Sequence, residues 1–156
     1  MTNSLIEIRD LSVSFPSEVG TVQAVRNISL DIRAGEVLGI VGESGSGKTV
    51  TSLAAIGLLP ESATVSGSVM FNGVNLLELN DDQMSKYRGN QISMIFQDPL
   101  SALNPVHTIG RQIAEALLIH KEISTEAAYK RAIELLEIVG IPRPAERAQS
   151  YPHEFS

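Results

Sequence analysis

The chain has 156 residues, of which 43% are hydrophobic, so it can bury one sizeable core and is not of a disordered type. Its 12 Lys and Arg residues against 18 Asp and Glu residues give a formal charge of −6, without a basic run, which argues against a nucleic-acid partner. The chain has no cysteine, which excludes disulfides, thiolate catalysis and cysteine-based metal sites and fits a cytoplasmic setting.

The first part of the chain carries the period-2 alternation of half-buried strands. Turn-forming residues at 16–20 and at 34–35 divide this part. The pattern predicts three or four antiparallel strands before residue 36, with apolar positions at Ile6, Ile8, Leu11, Val13, Phe15, Val22, Val25, Ile28, Leu30 and Ile32.

Residues 42–49 match the phosphate-loop pattern G-x-x-x-x-G-K-[ST] in full. Residues 36–41 before it are typical of a buried parallel strand, and an apolar face over residues 50–58 predicts a helix that Pro60 ends. Glycines let the backbone wrap a phosphate, the lysine reaches the β- and γ-phosphates, and the Thr49 hydroxyl holds Mg²⁺. We therefore predict a nucleotide site made of Gly42, Ser44, Gly45, Ser46, Gly47, Lys48, Thr49 and Val50.

Three more elements are predicted between residues 66 and 98. Residues 66–71 form a short strand followed by a tight turn at Asn72-Gly73. Asn80 and Gln83 predict a capped helix that runs to about residue 89, and residues 92–96 predict a compact apolar strand.

Beyond Pro99 the pattern changes to helical stripes. One stripe covers residues 109–120, and a second follows Ser124 as cap and ends at Gly140. We therefore divide the chain into a β-rich prefix with a partial phosphate-loop core, 1–98, and a helical subdomain, 99–156.

These features together resemble the ATP-binding subunits of ABC transporters. The segment 95–105 (Ile-Phe-Gln-Asp-Pro-Leu-Ser-Ala-Leu-Asn-Pro) is similar to the Q-loop of the dipeptide and oligopeptide importer branch, and Thr108-Ile109-Gly110 with Gln112-Ile113 continues the likeness. The resemblance implies an α/β P-loop NTPase fold, an ABC-type nucleotide-binding domain with an antiparallel prefix and a helical subdomain. It also implies an ATPase that couples ATP binding and hydrolysis to peptide import.

The resemblance further implies roles for residues outside the phosphate loop. Phe15 matches the aromatic residue that stacks on adenine, and Gln97 matches the glutamine that ligates Mg²⁺ beside Thr49. Gln97–Asn104 matches the region that meets the transmembrane permease subunits. A second ATPase subunit, in a homo- or heterodimer, and a peripheral location at the cytoplasmic face of the inner or plasma membrane are implied in the same way.

Residues 151–156 are similar to the lead-in of the family's signature sequence, without the two glycines that follow its serine. The family's Walker B carboxylates and switch histidine have no matching positions in this sequence. We therefore expect a truncated, incomplete domain that binds Mg·ATP and does not hydrolyse it by itself.

Two alternatives stay open from the sequence. The chain could be a regulatory half-domain that binds nucleotide without turnover. It could also be a small P-loop kinase, although residues 99–139 offer only Arg111 and Arg131 for a lid, and the strand-rich prefix and the Q-loop segment speak against that class.

Overall fold

The computed structural model describes residues 4–98 and 102–155. The chain forms two compact units, Met1–Arg88 and Gly89–Ser156, and each is described by itself. The sequence places a domain boundary later, between residues 98 and 99, and that boundary stays a prediction.

The first unit contains a four-stranded antiparallel sheet in the order β2-β1-β3-β4. Its strands are β1 (Ser4–Ser17), β2 (Gly20–Arg33), β3 (Thr64–Phe71) and β4 (Val74–Asn75). The strands β1 and β3 are the two inner strands, and they contribute the fully buried side chains Leu11, Val13 and Val69. The core residues of this sheet are Ile8, Leu11, Val13, Val25, Val69 and Phe71.

The prediction of three or four short strands before residue 36 is wrong, because two long strands occupy this part of the chain. The apolar alternation slips by one position between Ile8 and Leu11, and the pairing of β1 with β2 shifts register there. Asp10 takes a positive φ of 52° at that point, and Asn27 takes 45° in β2. The strands absorb the slip as bulges instead of ending, since an extra residue in one strand bends the ladder without breaking it.

The turn and the helix that follow β3 begin where the sequence predicts them, but the helix ends earlier than predicted. The predicted turn is confirmed, with Asn72 and Gly73 at φ values of 48° and 82° between β3 and β4. The capping box of Asn80 with Gln83 is also confirmed. The helix α2 (Asp81–Met84) is much shorter than the predicted one, and residues 85–87 continue from it as turns.

The helix after the phosphate loop, α1 (Lys48–Ala55), ends earlier than predicted. Gly57, with a φ of +63°, stops it before Pro60, and the Leu58 N–H bonds the Leu53 carbonyl across the end of the helix. Thr51 and Ala54 face the core of the unit.

Two predicted apolar strands are absent from the described residues. The segment 36–41 is not a strand, and Val37 and Val41 are 97% and 95% exposed. The segment 92–96 has an isolated bridge at Ile92 and no strand, and Ile95 is 92% exposed. A run of apolar residues of this kind has the composition of a strand. It forms a strand only where a neighbouring strand pairs with it.

The second unit is helical, as predicted. It contains α3 (Ile109–His120), α4 (Thr125–Ile138), α5 (Pro144–Arg147) and a final 3-10 turn, Pro152–Glu154. Ser124 caps α4 by accepting from the Ala127 N–H, and Ile109, Leu136 and Ala148 form the centre of its core. Among the described residues, no helix has the length and apolar character needed to cross a membrane.

Candidate nucleotide-binding site

The predicted phosphate loop lies in the first unit, between the sheet and the start of α1. Gly47 is the residue that begins the helix, and its φ of +90° is one that residues with a Cβ rarely adopt. A Cβ on Gly47 would lie 2.6 Å from the carbonyl oxygen of Ala24 in β2. The loop therefore sits directly on the sheet backbone, and only glycine fits at this contact.

The first turn of α1 offers backbone donors. Within the described part of the chain, the N–H groups of Lys48, Thr49 and Val50 have no backbone acceptor. No side chain caps this helix start, and no acidic residue lies in its first turn. Free N–H groups and the positive end of the helix dipole are the features that attract a phosphate group.

The Lys48 ammonium is held by the loop itself. Its Nζ donates to the carbonyl oxygens of Gly42 and Glu43, at 2.8 and 2.7 Å, and to the Ser46 hydroxyl at 3.2 Å. The Ser46 N–H in turn bonds the Glu43 carbonyl at 3.2 Å. All these partners belong to the loop, so Lys48 holds the loop in a curved conformation around its own ammonium group.

A cavity of about 130 Å³ opens at this point. Lys48 is the one cationic residue that lines it in the described chain, in a protein whose formal charge is −6. The residues that line the cavity are Ala24, Gly45, Ser46, Gly47, Lys48, Thr49 and Val50. The arrangement suits an anion of the size of a phosphate group, with the Thr49 hydroxyl beside it.

The other predicted residues lie elsewhere. Gly42 lines a second cavity of about 240 Å³, which shares Ser46, Gly47 and Lys48 with the first. Ser44 is exposed in the loop. Phe15 is half-buried in β1, opposite Val22, and lines neither cavity. Gln97 is exposed and belongs to the second unit, whereas Pro99 to Ser101 of the predicted docking segment lie outside the described residues.

The end of that docking segment is tied to α3 by one side chain. The Gln112 amide donates to the carbonyl oxygens of Asn104 and His107, at 3.0 and 2.9 Å, and accepts from the Asn104 N–H at 2.8 Å. No pattern in the sequence predicts this structural role of Gln112.

Sequence reasoning missed two contacts that shape the site. Ala24 lies in β2, and nothing in its residue type points to a loop packed on its carbonyl. Arg88 donates to the carbonyl of Gly57 at the end of α1, although the two residues are 31 positions apart. No spacing pattern in the sequence connects either pair.

Comparisons with known proteins show the family of the chain. The family model for ABC transporters matches residues 25–156. The chain belongs to the ABC transporter family. Two relatives are named as ATP-binding proteins of peptide transport. The dipeptide transport ATP-binding protein DppD of Bacillus subtilis is 51% identical to this chain over 154 residues. The oligopeptide transport ATP-binding protein OppD of Mycobacterium tuberculosis is 50% identical over 153 residues.

The match covers 97% of this chain in both relatives, but 46% of DppD and 25% of OppD. The chain therefore spans at most about half the length of these curated relatives. Among solved structures, the dimeric bacterial ABC transporter cassette MJ0796 is similar, with a TM-score of 0.80 and 25% identity over 97% of this chain and 63% of the cassette. A post-hydrolysis state of that cassette, bound to ADP and Pi, has a TM-score of 0.78 at 23% identity and supports the fold.

Proposed function

We propose that this ABC family chain is part of the ATP-binding subunit of a peptide importer, which couples ATP binding and hydrolysis to transport. The ligand of the loop at residues 42–49 is ATP. The observation that carries this proposal is the free first turn of α1 beside the Lys48 ammonium, at a cavity of about 130 Å³. The names of the peptide-transport relatives support the choice of substrate class.

The bound nucleotide is positioned by backbone donors and one cation. The N–H groups of Lys48, Thr49 and Val50 point from a helix start toward the phosphates, and Lys48 exchanges its contact with Ser46 for a phosphate oxygen. That contact is the longest of the three at 3.2 Å, so it is the first to give way. In this proposal Phe15 stacks on the adenine ring.

Magnesium accompanies the nucleotide. Thr49 lines the same cavity as Lys48, and its hydroxyl oxygen is a suitable ligand for this hard cation. The described residues contain no group of three or more His, Cys, Asp or Glu that could hold a metal ion. The proposed protein ligands are therefore few, Thr49 and Gln97, and the phosphates and water complete the shell.

The partners in this proposal are a transmembrane permease and a second ATPase subunit. Gln97–Asn104 is the proposed contact with the permease, at the cytoplasmic face of the inner or plasma membrane. The Gln112 contacts to Asn104 and His107 support this choice, because they give the end of the segment a defined backbone course.

The chain by itself is proposed to bind ATP without turning it over. Phosphoryl transfer to water needs a group that orients the attacking water. Glu43, the acidic residue of the loop, is exposed, and its backbone carbonyl is one of the three groups that accept from Lys48 Nζ. In this proposal its carboxylate does not orient the attacking water.

Equilibrium binding of Mg·ATP to the chain tests the proposal, with a fluorescent ATP analogue as the probe. Lys48→Ala removes the single cation of the cavity, and we expect it to weaken binding about 10- to 100-fold. Lys130→Ala is the matched control, because Lys130 is an exposed lysine of α4, and it should leave the affinity unchanged.

Equal affinity of the wild-type chain and Lys48→Ala would overturn the proposed nucleotide site. Phosphate release measured on the same samples tests the second part of the proposal. Turnover by the wild-type chain that disappears in Lys48→Ala would contradict binding without hydrolysis.

A further inference from the structure

Arg88 contacts the far end of the phosphate-loop helix. Its Nε donates to the Ile56 carbonyl at 2.7 Å, and its Nη2 donates to the Gly57 carbonyl at 2.6 Å. Its Nη1 pairs with the Asp81 carboxylate at 2.6 Å. The Arg88 side chain is 23% exposed, while that of Asp81 is 87% exposed. A mostly buried guanidinium is therefore oriented by a carboxylate at the surface.

Gly57 makes room for this contact. A Cβ there would lie 2.9 Å from the Arg88 Nη2 atom, and the φ of +63° already favours glycine. The same residue therefore ends α1 and admits the guanidinium to the carbonyls of Ile56 and Gly57, directly after the last helical residue.

The Arg88 contact supplies hydrogen-bond donors and a positive charge at the C-terminal end of α1. The last carbonyls of a helix have no partner within it, and a cation near them is favourable because it faces the negative end of the helix dipole. The last turn of α1 has no basic residue of its own. Arg88 supplies the charge and the donors from another part of the unit.

The length of α1 links this contact to the nucleotide site. Eight residues of helix extend about 12 Å, and the first of them is Lys48. Gly47 fixes the other end of the helix against the Ala24 carbonyl. Because α1 is only about two turns long, the Arg88 contacts at Ile56 and Gly57 lie close enough to bear on the position of its first N–H groups.

We propose that Arg88 is a positioning residue of the nucleotide site, acting through α1, and that Asp81 orients its guanidinium. The ATP part of this inference rests on the proposed function. The effect on the geometry of the loop does not, because it exists without ligand.

The experiment compares Arg88→Gln with Arg9→Gln in the full chain. Arg9 is a matched control in the same unit, since it also donates to two backbone carbonyls, of Ile8 and Leu30, and pairs with Asp31 at 2.6 Å. It lies on the sheet, away from α1. Two quantities are measured: the amide ¹H–¹⁵N resonances of residues 45–50 without ligand, and the dissociation constant for Mg·ATP.

Arg88→Gln should shift the ligand-free resonances of residues 45–50 and raise the dissociation constant for Mg·ATP about tenfold, whereas Arg9→Gln should do neither. Asp81→Asn keeps the guanidinium and is a milder variant for the case that Arg88→Gln does not fold. It should shift the same resonances less, with Asp31→Asn as its control.

Unchanged loop resonances in folded Arg88→Gln, or equal shifts in Arg9→Gln, would overturn the role of Arg88. Loop resonances that stay in place in Asp81→Asn would overturn the role of Asp81. If the wild-type chain does not bind Mg·ATP, the proposed function fails, and the resonances alone decide the role of Arg88.

Discussion

The two units each contain a helix whose start is pressed against a backbone carbonyl through a glycine. In the first unit Gly47 lies at the Ala24 carbonyl, where a Cβ would come within 2.6 Å. In the second unit Gly110 lies at the Ala148 carbonyl, where a Cβ would come within 2.7 Å. In both units a glycine allows a helix start to approach a backbone carbonyl closely, but the hydrogen bonding of the two helix starts is different.

The difference lies in what happens to the helix donors. The N–H groups of Ile109 and Gly110, at the start of α3, bond the carbonyls of Ser150 and Ala148 at 2.9 and 2.8 Å. The N–H groups of residues 48–50, at the start of α1, have no backbone acceptor among the described residues. A helix start becomes a candidate anion site when its donors are left free, and the second unit uses its donors to close its own fold.

The loops before the two helices are also held in different ways. Lys48 holds its loop with a charged group that only donates, so a phosphate oxygen can compete for it. Gln112 holds its loop with a neutral amide that both donates and accepts. The first arrangement can exchange a loop contact for a ligand, and the second is a structural tie.

The largest effect is expected from Gly47→Ala. The new Cβ meets the Ala24 carbonyl and the residue is forced to a φ of +90°, so we expect a loss of about 3 kcal/mol in unfolding free energy and loss of Mg·ATP binding. Thermal unfolding followed by circular dichroism, and nucleotide titration at low temperature, measure the two quantities.

Gly45→Ala is the control for this change, because Gly45 has a φ of +79° and nothing within 4 Å of an added Cβ. It should cost only the backbone strain, about 1 kcal/mol. Similar losses for the two variants would contradict the argument that contact with β2 selects glycine at residue 47.

Gly110→Ala should lower stability by about 2 kcal/mol and leave nucleotide affinity unchanged. Its Cβ would lie 2.7 Å from the Ala148 oxygen and 2.8 Å from the Tyr129 ring, although alanine itself favours a helix. The measurement is hydrogen exchange of α3 and α4 together with an Mg·ATP titration. Weaker nucleotide binding in this variant would break the comparison between the two helix starts.

Gln112→Glu should have the smallest effect, a loss of about 1 kcal/mol in local stability that is confined to residues 104–107. The carboxylate can still accept from the Asn104 N–H, but it cannot donate to the carbonyls of Asn104 and His107. Faster amide exchange of Val106 measures the release of the loop.

Gln149→Glu makes the same charge change at an exposed residue of the same unit and serves as the control. If Val106 exchanges at the same rate in Gln112→Glu and Gln149→Glu, the amide does not hold the loop.

Patterns local in sequence were predicted well. The cap of Asn80 with Gln83, the Asn72-Gly73 turn and the helices α3 and α4 depend on residues a few positions apart, and all four are present. Features that need a distant partner were predicted poorly. The segments 36–41 and 92–96 have the composition of strands, yet they are not strands in the described structure, because hydrophobic runs pair only where a neighbouring strand is available.

By itself, the sequence predicted that residues 42–49 wrap a phosphate, because glycine, lysine and threonine at these spacings have few other uses. The tertiary structure decided how that loop is held. Gly47 rests on a carbonyl of β2, Arg88 binds the other end of α1, and the donors of the first turn stay free. These contacts join residues more than twenty positions apart, and the physical reason is packing between elements, which no local pattern contains.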